Sequence, residues 1–132
     1  MYNELTCLFG HHDYSEKKTK DKYGDDVHLC KICKRSGYYK RSDRDEIWCD
    51  YDKKWNRIHE KHSDGFEAWA DYDEKGNIIH VKCADGRECY LDEEENMVYR
   101  KYPDGSEEWL DNGENWVDKK PKNWKYEKCI IN

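Results

Sequence analysis

Aliphatic side chains are scarce in this sequence. Leu, Ile, Val and Phe together supply 18 of 132 residues, a fraction that usually signals disorder. Apolar runs are short, and none approaches the roughly 20 residues that a membrane-spanning helix needs. The first ten residues have neither a basic start nor a long apolar stretch, so no signal peptide is expected. There is no nucleophile elbow, phosphate-binding loop or His-Glu metalloprotease motif. The chain is also too short for a large α/β enzyme domain. These absences point away from a membrane protein and from an enzyme.

Aromatic and charged residues take the place of the aliphatics. Six Trp and eleven Tyr are present, and 41% of residues are charged. Aromatic rings bury large areas, so a folded, thin structure with a small core is expected rather than disorder. The net charge of −6 is unevenly placed. Residues 1–44 carry ten basic and seven acidic side chains, residues 45–115 nine and twenty-one, and residues 116–132 five and two. An acidic body of this kind keeps a thin protein soluble, and it suits a partner with a basic surface.

Seven cysteines is an odd number. Without an export signal this argues against a full disulfide framework and for a reducing, cytoplasmic location. Four residues have metal-ligand spacing: Cys7 and His11 as C-x3-H, then Cys30 and Cys33 as C-x2-C. Two thiolates from one turn and a Cys/His pair can complete a zinc tetrahedron, and four protein ligands make the site structural rather than catalytic. His12 and His28 are the alternatives to His11. The polar stretch from Asp13 to Leu29 reads as a loop closed by the metal.

The remainder is repetitive. Three segments share the pattern apolar-x2-Lys-x2-Asp-Gly-x-Glu-x-aromatic-x-Asp. They run Ile58 to Asp71, Ile79 to Asp92 and Val98 to Asp111. An earlier copy covers Lys40 to Asn56, with Arg44 in place of Gly, so that turn should be of another type. A half-copy can be read from Val117. Asp-Gly suits a tight hairpin turn, and the flanking aromatic and β-branched residues suit strands. Hairpins joined in series make an antiparallel meander of eight or nine strands. With two-residue loops, Val81 would pair with Tyr90 and Arg100 with Trp109. Trp48, Trp69, Tyr90 and Trp109 would then form a ladder on one face. A bulged loop would shift this register, and both alternatives stay open. Cys83 and Cys89 fall on opposite faces in the two-residue-loop register, which disfavours a disulfide.

The expected fold is therefore mainly β. A zinc-knuckle module at residues 1–39 leads into an antiparallel β-meander of about four tandem hairpin repeats at residues 40–132. The segment holding Cys7, Gly10, His11, Cys30 and Cys33 resembles the zinc-binding segments of very small prophage-encoded proteins. That resemblance implies a phage or mobile-element origin. The hairpin repeats resemble YD and MORN-like repeats, which implies a scaffold or interaction surface.

The functional expectation is a non-enzymatic interaction or inhibitor protein. Its acidic sheet would dock on the basic surface of a nucleic-acid-handling protein, with a CRISPR effector as one candidate under the phage resemblance. The residues singled out are Glu67, Asp71, Glu88, Asp92, Glu107 and Asp111, with Trp69, Tyr90 and Trp109 among them. The alternative is a nucleic-acid-binding zinc module that uses the basic head from Lys31 to Arg44. A homodimer through open sheet edges fits the same pattern.

Overall fold

The computed structural model of the chain describes residues 3–130. Helix α1 (Glu4–Leu8) precedes strands β1 (Tyr14–Lys20), β2 (Asp26–Cys30), β3 (Ser36–Ser42), β4 (Asp45–Tyr51) and β5 (Arg57–His62). Then come β6 (Glu67–Tyr72), β7 (Ile78–Cys83), β8 (Glu88–Leu91), β9 (Met97–Lys101), β10 (Glu107–Leu110) and β11 (Trp116–Val117). The chain divides into two compact units, Met1–Glu67 and Ala68–Asn132. Within each, consecutive strands pair antiparallel. Residues 39 and 40, either side of the expected boundary, both lie in β3 within the first unit.

The segment 13–29 is not a loop. It forms β1 and β2, joined by a turn at Asp21–Asp25. Its Lys-rich first strand hides the alternation that marks a half-buried strand, because all five residues from Glu16 to Lys20 are exposed.

One turn recurs eight times among the described residues. In each, the first residue's N–H donates to the carbonyl of the fifth, at 2.7–2.9 Å, and the fourth residue's N–H donates to the carbonyl of the first. The fourth residue has positive φ: Gly24, Trp55, Gly65, Gly76, Gly86, Glu95, Gly105 and Glu114. This is a type I turn followed by a left-handed residue, the three-residue hairpin loop with a bulge. Aspartate fixes it in two ways. At the first position, the Oδ1 atoms of Asp21, Asp52, Asp73, Asp92 and Asp111 each accept the N–H groups two and four residues on. At the third position, Asp64, Asp85 and Asp104 accept the N–H two residues on. The Asp43-Arg44 loop differs, with two residues between the paired Ser42 and Asp45 and no positive φ.

The bulged turn decides the register. Trp109 pairs with Tyr99 rather than Arg100, and Tyr90 pairs with His80 rather than Val81. Because side chains alternate, one residue of slip exchanges the faces. Rings from successive strands therefore meet: His80–Tyr90 stack at 4.3 Å, and Tyr90–Tyr99 and Tyr99–Trp109 lie at 5.7 and 5.6 Å. In the first unit, Tyr14, Tyr38 and Trp48 form a similar row. The same register places Cys83 and Cys89 on one face, not on opposite faces, because Val81 is the partner of Cys89.

Cores are small, as the aliphatic scarcity requires. In the first unit Val27, Tyr39, Ile47, Cys49 and Tyr51 cluster, with Leu29 and Trp55 against them. In the second, Val98, Tyr99 and Trp124 cluster, and the Trp124 indole N–H donates to the Leu110 carbonyl at 2.7 Å.

Glu114 is exposed at a left-handed position, where a side chain costs about 1 kcal/mol relative to Gly. Glu114→Gly should raise the unfolding midpoint by a few degrees. Gly105→Ala should lower it by a similar amount, although the added Cβ meets nothing within 4 Å. Thermal unfolding followed by circular dichroism checks both, and two unchanged midpoints would contradict the role assigned to this backbone position.

Candidate metal centre

Helix α1 has only five residues, and its ends are set by side chains and by glycine. Asn3 Oδ1 accepts the Thr6 N–H, and Thr6 Oγ1 accepts the Asn3 N–H, a reciprocal cap. At the other end Gly10 takes φ 81. Gly10 N–H donates to the Cys7 carbonyl, and His11 N–H reaches back to Thr6. This is the Schellman arrangement, and it reverses the chain. His11 is left exposed on the outside of the turn, and His12 comes back toward Cys7.

The second half of the group sits between β2 and β3. Cys30 ends β2, and the chain turns through Lys34 at φ 59. Burial acts against ionisation of Cys30, but N–H groups of Cys33 and Ile32 and the His12 ring favour its thiolate and hold the thiol down at about 6. Cys7 behaves oppositely. Burial and the neighbouring Cys30 and Cys33 sulfurs push it up to about 11. Three sulfurs this close cannot all ionise without a cation among them.

Ligand atoms of Cys7, His12, Cys30 and Cys33 all lie within 4.8 Å of one another. All seven cysteines are free thiols. Cys7 and Cys30 sulfurs are 3.7 Å apart, and Cys33 Sγ is 3.6 Å from His12 Nδ1. A tetrahedral ion with M–S of ~2.3 Å and M–N of ~2.05 Å requires edges of about 3.8 and 3.6 Å. The group could hold one metal ion through three sulfurs and one nitrogen. His28 is engaged elsewhere, with Nδ1 2.8 Å from the Ser15 carbonyl.

The carboxylates singled out in the sequence serve the sheet. Four rings each bond a glutamate eight residues later, always at 2.6 Å: Tyr38 to Glu46, His59 to Glu67, His80 to Glu88 and Tyr99 to Glu107. Both histidines also bond a preceding aspartate, His59 to Asp50 at 2.7 Å and His80 to Asp71 at 2.8 Å. Asp92 and Asp111 act differently, fixing turns, because β8 and β10 reach their turns two residues sooner than β6 does. Trp69 is 42% exposed, while Tyr90 and Trp109 are half-buried in the aromatic row. In the basic head, Arg35 lies over the Trp55 ring and Arg41 pairs with Asp45.

Sequence reasoning missed His59, His80 and Tyr99. The signal was the fixed interval of eight residues to each glutamate. Comparison with protein-family models and with curated proteins finds no match for this chain.

Cobalt(II) should bind at one equivalent per chain with thiolate charge-transfer absorption. His12→Ala should weaken binding by at least tenfold, and His11→Ala should leave it unchanged. The reverse ranking would contradict the assignment. A second expectation concerns His59. Its hydrogen bond to Asp50, opposed by burial and aided by Glu67, raises its pKa above the ordinary histidine value. A raised folded-state pKa gives stability that is complete below the unfolded value and is lost as pH rises through the folded value. The stability advantage over His59→Gln should therefore be larger at pH 5.5 than at pH 9 in urea unfolding, and a pH-independent difference would contradict it.

Proposed function

We propose that the chain is a non-enzymatic interaction protein, stapled by a structural zinc ion, that presents an acidic turn edge to a basic protein surface. Three thiolates and one imidazole suit zinc, and four protein ligands leave it no open position for chemistry.

The observation that carries the docking reading is the segregation of turns in the second unit. An antiparallel meander sends alternate turns to opposite ends of the strands. The turns at 73–77, 92–96 and 111–115 share one end and hold eight carboxylates and one lysine. The turns at 83–87 and 102–106 share the other end and hold two carboxylates and one arginine. Alternate turns stand roughly 10 Å apart, twice the strand spacing. Glu93, Glu94 and Glu114 are exposed along this row. The C-terminal segment bounds it, where the Lys125 N–H donates to Asn112 Oδ1.

A row of carboxylates at regular spacing competes with phosphates for a basic channel, by the same counter-charge attraction that holds nucleic acid there. A nucleic-acid-handling protein is therefore the partner class, and a counter-defence role against a CRISPR effector is one form of it. The partner-facing residues become Glu93, Glu94 and Glu114 rather than the internally bonded Glu67, Glu88 and Glu107.

Affinity capture with the intact chain should retain a nucleic-acid-binding protein that duplex DNA elutes. The E93K/E94K/E114K variant should lose it. Equal capture by the variant, or capture that DNA does not displace, would overturn this reading.

A further inference from the structure

In the first unit the fold rearranges the basic stretch from Lys31 to Arg44. Strand β3 has seven residues, spans roughly 20 Å and divides that stretch in two. Lys40, Arg41 and Arg44 go to its far end, where Arg41 pairs with Asp45. Lys31, Lys34 and Arg35 stay at its near end, in the turn between β2 and β3. The turn between β4 and β5 arrives at the same end and brings Lys53. Two contacts join these turns. The Tyr51 N–H donates to the Arg35 carbonyl at 2.7 Å, and the Arg35 guanidinium sits 4.2 Å over the Trp55 ring.

Arg35 is thus engaged, but three cations at this end are not. Lys31, Lys34 and Lys53 are exposed, and among the described residues their ammonium groups enter no salt bridge. The turns 30–36 and 52–56 hold a single carboxylate, Asp52. It is committed to its own loop, accepting the Lys54 and Asn56 N–H groups and the Asn56 side chain. Asp50 accepts from Ser36 and bonds His59, and Asp13 is half-buried beside Lys31.

Helix α1 supplies a second, independent observation. Leu5, Leu8 and Phe9 are 61%, 82% and 73% exposed, more than any other large apolar side chain described. Cys7 Sγ lies 3.7 Å from Cys30 Sγ, so α1 rests against the 30–36 turn. A groove lined by Leu8, Ile32 and Cys33 runs between them. A chain so short of apolar side chains leaves three of them in water at this one place, which marks a contact surface.

We propose that this end of the first unit binds single-stranded nucleic acid. Phosphates would meet Lys31, Lys34 and Lys53, and an unpaired base would stack on Phe9. Lysines supply point charges on flexible stems that can follow an irregular backbone, and a ring face accepts any base. A duplex keeps its base faces stacked inside and offers this surface only phosphates. The proposal concerns the first unit alone and does not rest on the acidic row of the second.

The test is fluorescence anisotropy of a fluorescein-labelled oligodeoxythymidylate of twelve nucleotides, titrated with the full chain and one equivalent of zinc. Binding should saturate. The logarithm of the affinity should fall against the logarithm of salt with a slope of about −2, as three phosphate contacts on a single strand require. K31Q/K34Q/K53Q should weaken binding at least tenfold and flatten that slope. Phe9→Ala should weaken it at least fivefold with the slope unchanged, and Phe9→Trp should retain it. All four positions are exposed, and the parent chain's own slope and strand preference test the proposal without any substitution. No saturable binding, equal affinity for the matching duplex, or an unchanged K31Q/K34Q/K53Q affinity would overturn it. Polyaspartate that binds as tightly as the oligonucleotide would also overturn it and assign the surface to an acidic protein segment.

Discussion

The left-handed residue at the fourth position of each five-residue turn is the constraint on which the rest of the structure depends. A strand has a side-chain period of two, so one residue in the loop decides which face every side chain takes. The bulged loop puts Tyr99 opposite Trp109 and His80 opposite Tyr90. Across the Asp43-Arg44 loop a bulge between Lys40 and Ser42 brings Tyr38 to Glu46, and the bulged turns let His59, His80 and Tyr99 reach glutamates eight residues on. With two-residue loops, those glutamates would face away from the rings. Aspartate makes the turn locally self-sufficient, since each Asp accepts backbone N–H groups of its own loop. A chain with so few aliphatic residues needs that local determination, because its cores are too small to correct a slipped register.

The first unit adds a second local device. Its core is five buried side chains, with a short helix leading in. A metal ion, if held by Cys7 of α1, His12 after Gly10, and Cys30 and Cys33 around the β2–β3 turn, would close a span that packing alone would hold weakly. The buried polar groups obey the same economy. Asp21 is held ionised below its ordinary value, because bonds from Arg57 and Tyr51 outweigh the cost of burial. Among the described residues, no buried side-chain nitrogen or oxygen lacks a hydrogen-bond partner.

Much of this was legible in the sequence. The Asp-Gly repeats announce hairpins in series, and Cys7, Cys30 and Cys33 announce a metal group. What the sequence concealed has physical causes. His11 and His12 are adjacent, and only the left-handed Gly10 decides which one faces the thiols. β1 is hidden because a Lys-rich exposed strand has no hydrophobic alternation. The register stayed open because Asp-Gly is compatible with both two- and three-residue loops. The glutamates looked like a binding row because their ring partners sit on the neighbouring strand, one register step from where a two-residue loop would place them. The Asp-Gly steps at Asp64, Asp85 and Asp104 are 21 and 19 residues apart, and this near-equal spacing masks a change of role. Asp71 bonds a histidine, whereas Asp92, two residues nearer its turn, fixes the loop.

The central claim is the register, and cross-strand nuclear Overhauser contacts test it most directly. Backbone proton contacts between Tyr99 and Trp109, and between His80 and Tyr90, are the expected result. Contacts between Arg100 and Trp109, and between Val81 and Tyr90, would mean two-residue loops. That outcome would exchange the faces of the sheet, separate the rings from their glutamates and contradict the bulged-turn register.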